Sequence, residues 1–241
     1  MDGWRTRSGR PLLAASARLW AMTLLASCAV VVAVLAVLFA HQARPDGFDQ
    51  AVDAPFITWF GRHSGLGLWL VSPGSLLPAG ALTAVIVVCC LMAGRLNGAL
   101  LAAAALPVAE GLNDGLLKPL VDRTYLGALT YPSGHTTAVF AMTATVTVLL
   151  LGAPREGKTG AVRVLVPAAA ALLAVVVVIA LIGVRFHYFT DTVGGAALGT
   201  GTVCGLALVL DLPAFRRWLA RDSGQPPVTR ERRSAPGRTG G

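Results

Sequence analysis

Charge is scarce in this 241-residue chain. Only 13% of its residues are Asp, Glu, Lys or Arg, against about 25% in an ordinary soluble domain. The deficit is uneven. Residues 19–43, 63–94, 136–154, 164–184 and 192–210 hold no charged side chain, which excludes a soluble domain built from those segments. Cysteine is equally uninformative as a scaffold. Cys28, Cys89, Cys90 and Cys204 all fall inside the uncharged stretches. They have neither metal-ligand spacing nor paired loop positions, so a disulfide framework and a zinc site are both excluded. The chain has 12 acidic residues and no carboxylate cluster able to hold a divalent ion, so neither a metal nor a cofactor is expected. Lysine is nearly absent, at two against eighteen arginines, a bias consistent with GC-rich bacterial coding. No internal repeat is present.

Long apolar runs take the place of charge. A helix needs roughly 20 mostly apolar residues to cross a bilayer. Six spans are predicted, at about 19–40, 74–93, 97–117, 136–152, 164–184 and 191–210. The expected fold class is therefore all-α, a polytopic membrane bundle of six transmembrane helices. One membrane domain covers 19–212, between a basic tail at 1–18 and a basic, largely disordered tail at 213–241. "LASC" at 25–28 resembles a lipoprotein cleavage box, but the apolar run continues past it to Ala40, which favours an uncleaved first span. Residues 41–73 are expected to be the longest loop, with "PFITWF" and "LGLWLV" at the headgroup level.

A formal net charge of +8 invites a nucleic-acid partner, but its distribution argues against one. With the first residues placed in the cytoplasm, 15 of the 20 basic residues fall on inside segments. Only Arg44, Arg62, Lys118, Arg123 and Arg185 fall outside. That is the positive-inside bias. It predicts a multi-pass protein of a bacterial plasma membrane with both ends cytoplasmic. The partners are then the bilayer and a lipid substrate, not nucleic acid. Nothing in the sequence sets an oligomeric state. In the last span, Gly195 with Gly199 and Gly201 with Gly205 match the small-xxx-small pattern of close helix contacts.

Three segments carry unusual polar residues close to membrane level: "LKPLVDRTY" (117–125), "YPSGHTT" (131–137) and "GVRFHYFTD" (183–191). The alternation of spans puts all three on the same, outer side. Lys118, Arg123 and Arg185 together form a small anion pocket, since Arg forks onto phosphate oxygens and Lys adds a point charge. Ser133 and the Gly134 amide add donors at the start of a helix. His187 and Asp191 are four apart, one helical face. A carboxylate on one ring nitrogen fixes the tautomer and leaves the other nitrogen as nucleophile or base. His135 is placed to protonate a leaving oxygen. Such a set describes phosphoryl transfer through a phosphohistidine. Glu110 and Asp114 interrupt the third span. Carboxylates there are costly and default to function; Asp114 is expected to hold Lys118, and Glu110 has no assigned role.

"PSGH" at 132–135 and "HYFTD" at 187–191 resemble the second and third signatures of the type 2 phosphatidic acid phosphatase family, and "LKPLVDR" resembles the start of its first. The resemblance implies a six-span lipid phosphate phosphatase. It makes His187 the nucleophile, Asp191 its orienting partner and His135 the acid, with Lys118, Ser133 and Gly134 binding phosphate. Two signature arginines are displaced. The Arg-Pro expected seven residues after Lys118 is Tyr125–Leu126, and the Ser-Arg expected before His187 is Ala180–Leu181. Arg123 and Arg185 are expected to replace them from different backbone positions.

The function implied is removal of phosphate from a lipid phosphate or diphosphate, of the undecaprenyl diphosphate, phosphatidic acid or phosphatidylglycerol phosphate class. Transfer of the same phosphoryl group to an alcohol stays open, as does a degraded site. A carrier is the competing class. It fits Glu110 and Asp114 in mid-span, but not polar residues gathered at one face rather than the midplane.

Overall fold

The computed structural model describes residues 11–152 and 160–215. The outer parts of both expected tails (1–10 and 216–241) and most of the polar turn after the fourth span (153–159) lie outside the described residues. The element order is α1 (Ala15–Phe39), α2 (Gly47–Gly61), α3 (Ser64–Val71), a 3₁₀ turn (Ser72–Gly74), α4 (Leu76–Met92), α5 (Leu96–Leu112), a π-helical turn (Asn113–Leu117), α6 (Lys118–Val121), a two-stranded hairpin (Thr124–Tyr125 with Ala128–Leu129), α7 (Gly134–Leu151), α8 (Gly160–Gly183) and α9 (Phe189–Leu210). Among the described residues five helices are long and apolar enough to cross a membrane. The segment Ser64–Gly74 with Leu76–Met92, bent by 42°, makes a sixth. The chain is a multi-pass, all-α membrane protein.

α7 and α9 form the centre of the bundle. They can approach closely because α9 lacks side chains where they cross. A Cβ at Gly199 would fall on the Thr137 carbonyl and within 2.8 Å of the Ala141 amide. One at Gly195 would meet the Ser133 carbonyl. Gly201 turns the other way, against Cys28 of α1. So each half of the small-residue pattern serves a different neighbour. Large apolar side chains such as Leu19, Trp20, Leu82, Leu165 and Leu172 stay exposed on the bundle's outside, where lipid rather than water would cover them.

Gly199→Ala is expected to destabilise by about 1–3 kcal/mol, because backbone atoms cannot yield as a flexible side chain can. Gly111→Ala, whose Cβ would enter open space, should be neutral or slightly stabilising. Thermal unfolding of both variants in detergent checks this.

Three sequence boundaries move. The expected tail 1–18 is not a tail in its described part. Leu12 and Leu13 are buried, and their amides donate to the two oxygens of Asp211 at 2.7 and 2.8 Å. A buried carboxylate needs donors, and the chain entering α1 supplies them. The third span runs on to Val121 and includes the π turn. The expected loop 41–73 contains α2 and α3. α2 starts with Asp46 as N-cap, its side chain accepting from the Asp49 amide at 2.7 Å.

Candidate active site

The three polar segments meet at one end of the bundle, and backbone contacts lock them together. Ser133 is the N-cap of α7, its hydroxyl accepting from the Thr136 amide at 3.4 Å. The Ser133 amide in turn donates to the Asp191 carbonyl at 3.0 Å. The "PSGH" turn is thus fastened to the first turn of α9. On its other side, a Cβ at Gly134 would lie 3.9 Å from Lys118 Nζ and 3.4 Å from a Glu110 oxygen. Both are ordinary contacts; the tight neighbour is the Asn113 side-chain amide, 3.1 Å from that Cβ.

Lys118 follows the π turn, a distortion frequent at functional positions. Its ammonium sits 2.7 Å from Asp114 Oδ1. Asn113, fully buried in the same turn, bridges the motif. In the amide orientation that satisfies both of its groups, its nitrogen donates to the Pro132 carbonyl at 2.9 Å and its oxygen accepts from the Gly134 amide at 3.3 Å. The Gly134 amide, expected to face a phosphate, therefore rests on Asn113. Ser133 is also fully buried. Glu110 leaves Oε1 buried with no hydrogen-bond partner.

His135 begins α7. Its Nε2 lies 3.4 Å from the Ser75 hydroxyl, and its ring meets Phe186, the residue before His187, edge-on at 6.3 Å. His187 lies in the connection from α8 to α9. Its Nδ1 is 3.8 Å from Asp191 Oδ2, too far for a hydrogen bond, and is buried with no other partner. Asp191 is held firmly. Its Oδ2 accepts from the Tyr188 amide at 3.1 Å and its Oδ1 from Arg123 Nη1 at 2.6 Å.

Arg123 departs from the sequence expectation. The sequence places it in the phosphate cradle, but its side chain is fully buried and already engaged. Nη1 donates to Asp191 Oδ1 and to Thr190 Oγ1, each at 2.6 Å. Nη2 donates to Asp49 Oδ2 at 2.6 Å. The guanidinium carbon stacks 4.2 Å from the Phe39 ring centroid and 4.6 Å from that of Tyr188. A buried guanidinium is tolerated only when paired, and two carboxylates pair it here. It braces Asp191 rather than facing a ligand. Arg185 behaves differently. It is exposed at a left-handed backbone position, φ +62°, makes no ion pair among the described residues, and lines a cleft of about 350 Å³ with His187.

α2 supplies residues that the sequence did not mark. Asp49 Oδ2 also accepts from Thr190 Oγ1 at 2.8 Å, and Asp49 Oδ1 accepts from the Thr190 amide at 3.0 Å. One turn on, Asp53 Oδ1 accepts from the Phe189 amide at 3.2 Å. The signal was two carboxylates four apart in an apolar stretch. Their partners lie 74 to 141 positions away in sequence, so spacing alone could not name them.

Burial, and then the nearby Asp49 carboxylate, push the Asp53 carboxyl up to about 7. Its ordinary value is 3.8. The folded state therefore keeps a proton that the unfolded chain releases as pH rises from about 4 to 7. The stability linked to this group is full below the lower value and is lost as pH climbs through the upper one. Asp53→Asn is expected to raise the unfolding midpoint at pH 8 and to change it little at pH 4. Unfolding curves at the two pH values check this.

A family profile described as the PAP2 superfamily matches residues 17–212. No curated protein sequence matches the chain. Among solved structures, the fold is similar to the transmembrane PAP2 type phosphatidylglycerolphosphate phosphatase from Bacillus subtilis. The TM-score is 0.62 at 19% identity, covering 78% of this chain and 95% of that one. With a profile spanning every element from α1 to α9, the chain belongs to the PAP2 superfamily and has its membrane phosphatase fold.

Proposed function

We propose that the chain is a lipid phosphate phosphatase that works through a phosphohistidine and needs no metal ion. The observation that carries this is one cluster. The His135 ring lies 6.3 Å from that of Phe186, the residue before His187, and Asp191 stands behind His187. Lys118 stands beside the "PSGH" turn and Arg185 beside the His187 cleft.

The substrate phosphate sits between Lys118 and Arg185. As it arrives, the His187 ring closes the 3.8 Å gap and donates its Nδ1 proton to Asp191 Oδ2. Catalytic hydrogen bonds are often long before substrate binds. Nε2 then attacks phosphorus and a P–N bond forms as the P–O bond to the lipid breaks. His135 gives the departing oxygen a proton. Water next attacks the phosphohistidine, and His135 takes its proton back, releasing inorganic phosphate. Ser133 and the Gly134 amide turn from Thr136 and Asn113 toward the transferring oxygens. Lys118 is held in place by Asp114.

The positive-inside distribution supports a site on the outer face of a bacterial plasma membrane, with lipid entering sideways from the leaflet. The substrate classes are undecaprenyl diphosphate, phosphatidic acid and phosphatidylglycerol phosphate. The last is the substrate type named for the Bacillus subtilis neighbour. Phosphate release is to be measured from a panel of these lipids with purified protein, with and without chelator and vanadate. Release that survives chelator and is blocked by vanadate is the expected result. A protein that releases phosphate from none of them is not a lipid phosphatase.

A further inference from the structure

The cleft lined by His187 and Arg185 reaches onto α2. Its volume is about 350 Å³, within the roughly 300–1,000 Å³ range of small-molecule sites. Asp53, Tyr125 and Arg185 give it polar atoms, and Ala54, Ile57 and Ile182 give it apolar ones. Two further polar lining residues already have internal partners. Gln50 Nε2 donates to the Pro45 carbonyl at 3.2 Å, and Thr58 Oγ1 donates to the Ala54 carbonyl at 2.8 Å.

Asp53 is different. The residue is 4% exposed. Oδ1 holds the Phe189 amide, while Oδ2 has no hydrogen-bond partner among the described residues. That second oxygen opens on the cleft, where a ligand's donor can reach it. A phosphate dianion has none to give, and an acyl chain has none either. An ammonium group would donate, but Arg185 shares the cleft and repels it. A hydroxyl satisfies both groups. It donates to Asp53 and, lying next to the phosphate, lets the phosphate reach Arg185.

We propose that this cleft is a subsite for a polyol portion of the substrate, a glycerol or sugar unit bearing a free hydroxyl next to the scissile phosphate, with Asp53 accepting from that hydroxyl. The carbon frame of the polyol rests on Tyr125, whose ring packs 4.6 Å from that of Tyr188. The proposal rests on the phosphatase reading above and narrows it. A hydroxylated lipid phosphate is preferred over a bare alkyl or prenyl phosphate.

The test uses a matched pair of full-length substrates, 3-dodecyloxypropyl phosphate and its 2-hydroxy counterpart, which differ by one hydroxyl. The wild-type protein should favour the hydroxylated member in kcat/KM by about tenfold or more, because a site built to bond a hydroxyl rejects the analogue that lacks it. Asp53→Ala should bring the ratio of the two toward one. Asp53→Asn keeps the volume and the acceptor for Phe189 but turns a donating NH2 onto the cleft in place of the accepting oxygen, and should lower the ratio by about threefold or more. This second variant answers if the first does not fold.

Calorimetric binding of the two corresponding phosphonates is measured alongside. If neither phosphate is hydrolysed, the phosphatase reading fails, yet a binding preference for the hydroxylated phosphonate that Asp53→Asn reduces still supports the subsite. A wild-type protein that treats the pair alike, or variants that weaken both members equally, overturns the proposal.

Discussion

Exchanging His187 for Ala is expected to lower phosphate release by about four orders of magnitude or more while leaving the protein folded. The size follows from the role. Removing a nucleophile that acts in concert with its base and orienting group costs roughly 10⁴- to 10⁶-fold. The survival of the fold follows from the contacts. Asp191 does not depend on His187 to satisfy its charge, because Arg123 and the Tyr188 amide already bind both of its oxygens. The imidazole itself makes no hydrogen bond at Nδ1, so its loss leaves no new orphan. Initial rates on a lipid phosphate, read beside an unfolding curve, separate the two effects. A variant that retains a tenth of wild-type activity would mean that some other side chain attacks phosphorus.

Arg123→Ala should have the largest effect on stability. Asp49 and Asp191 are both fully buried, and the guanidinium between them is their shared cation. Removing one partner of a buried ion pair costs about 3–5 kcal/mol, and here two carboxylates are stranded together. Folded protein in detergent should fall sharply, as judged by monodisperse yield and unfolding midpoint. Combining it with Asp49→Asn should recover part of the loss, because one stranded charge is then gone. Arg123→Lys should recover less, since a single ammonium lacks the planar fork that reaches both carboxylates. If Arg123→Ala instead unfolds like wild type and only raises KM, the guanidinium binds substrate phosphate and the bracing role is wrong.

These two residues also mark how far the sequence reaches. The spans were legible because about 20 uncharged residues have few alternatives to crossing a bilayer. The alternation of those spans put Lys118, His135 and His187 at one end, and the segments that carry them are neighbours in the structure, Lys118 beside Gly134 and His135 beside Phe186. The glycines of α9 were legible for a similar reason, since small residues in a membrane helix mark close contacts. Arg123 was not. Its charge and its end of the bundle could be read, but whether it faces a ligand or a carboxylate depends on partners 68 and 74 positions away. Asp49 and Asp53 were hidden in a stretch that resembles an interfacial loop, where a carboxylate is unremarkable. Asn113 gave no signal, because its work depends on the π turn that carries it, and no local spacing announces that turn. Ala180 and Leu181, where signature residues were missed, are fully buried and belong to the packing of α8.

The most direct test is to find where the phosphoryl group rests. The His135→Ala variant is mixed with an aryl phosphate, whose leaving group needs no proton, and quenched in alkali, which preserves a P–N bond. Peptides are then mapped by mass spectrometry. Phosphate on His187, absent when Asp191 is also replaced, is the predicted result. Phosphate on Ser133, or turnover with no phosphorylated peptide at all, would contradict it.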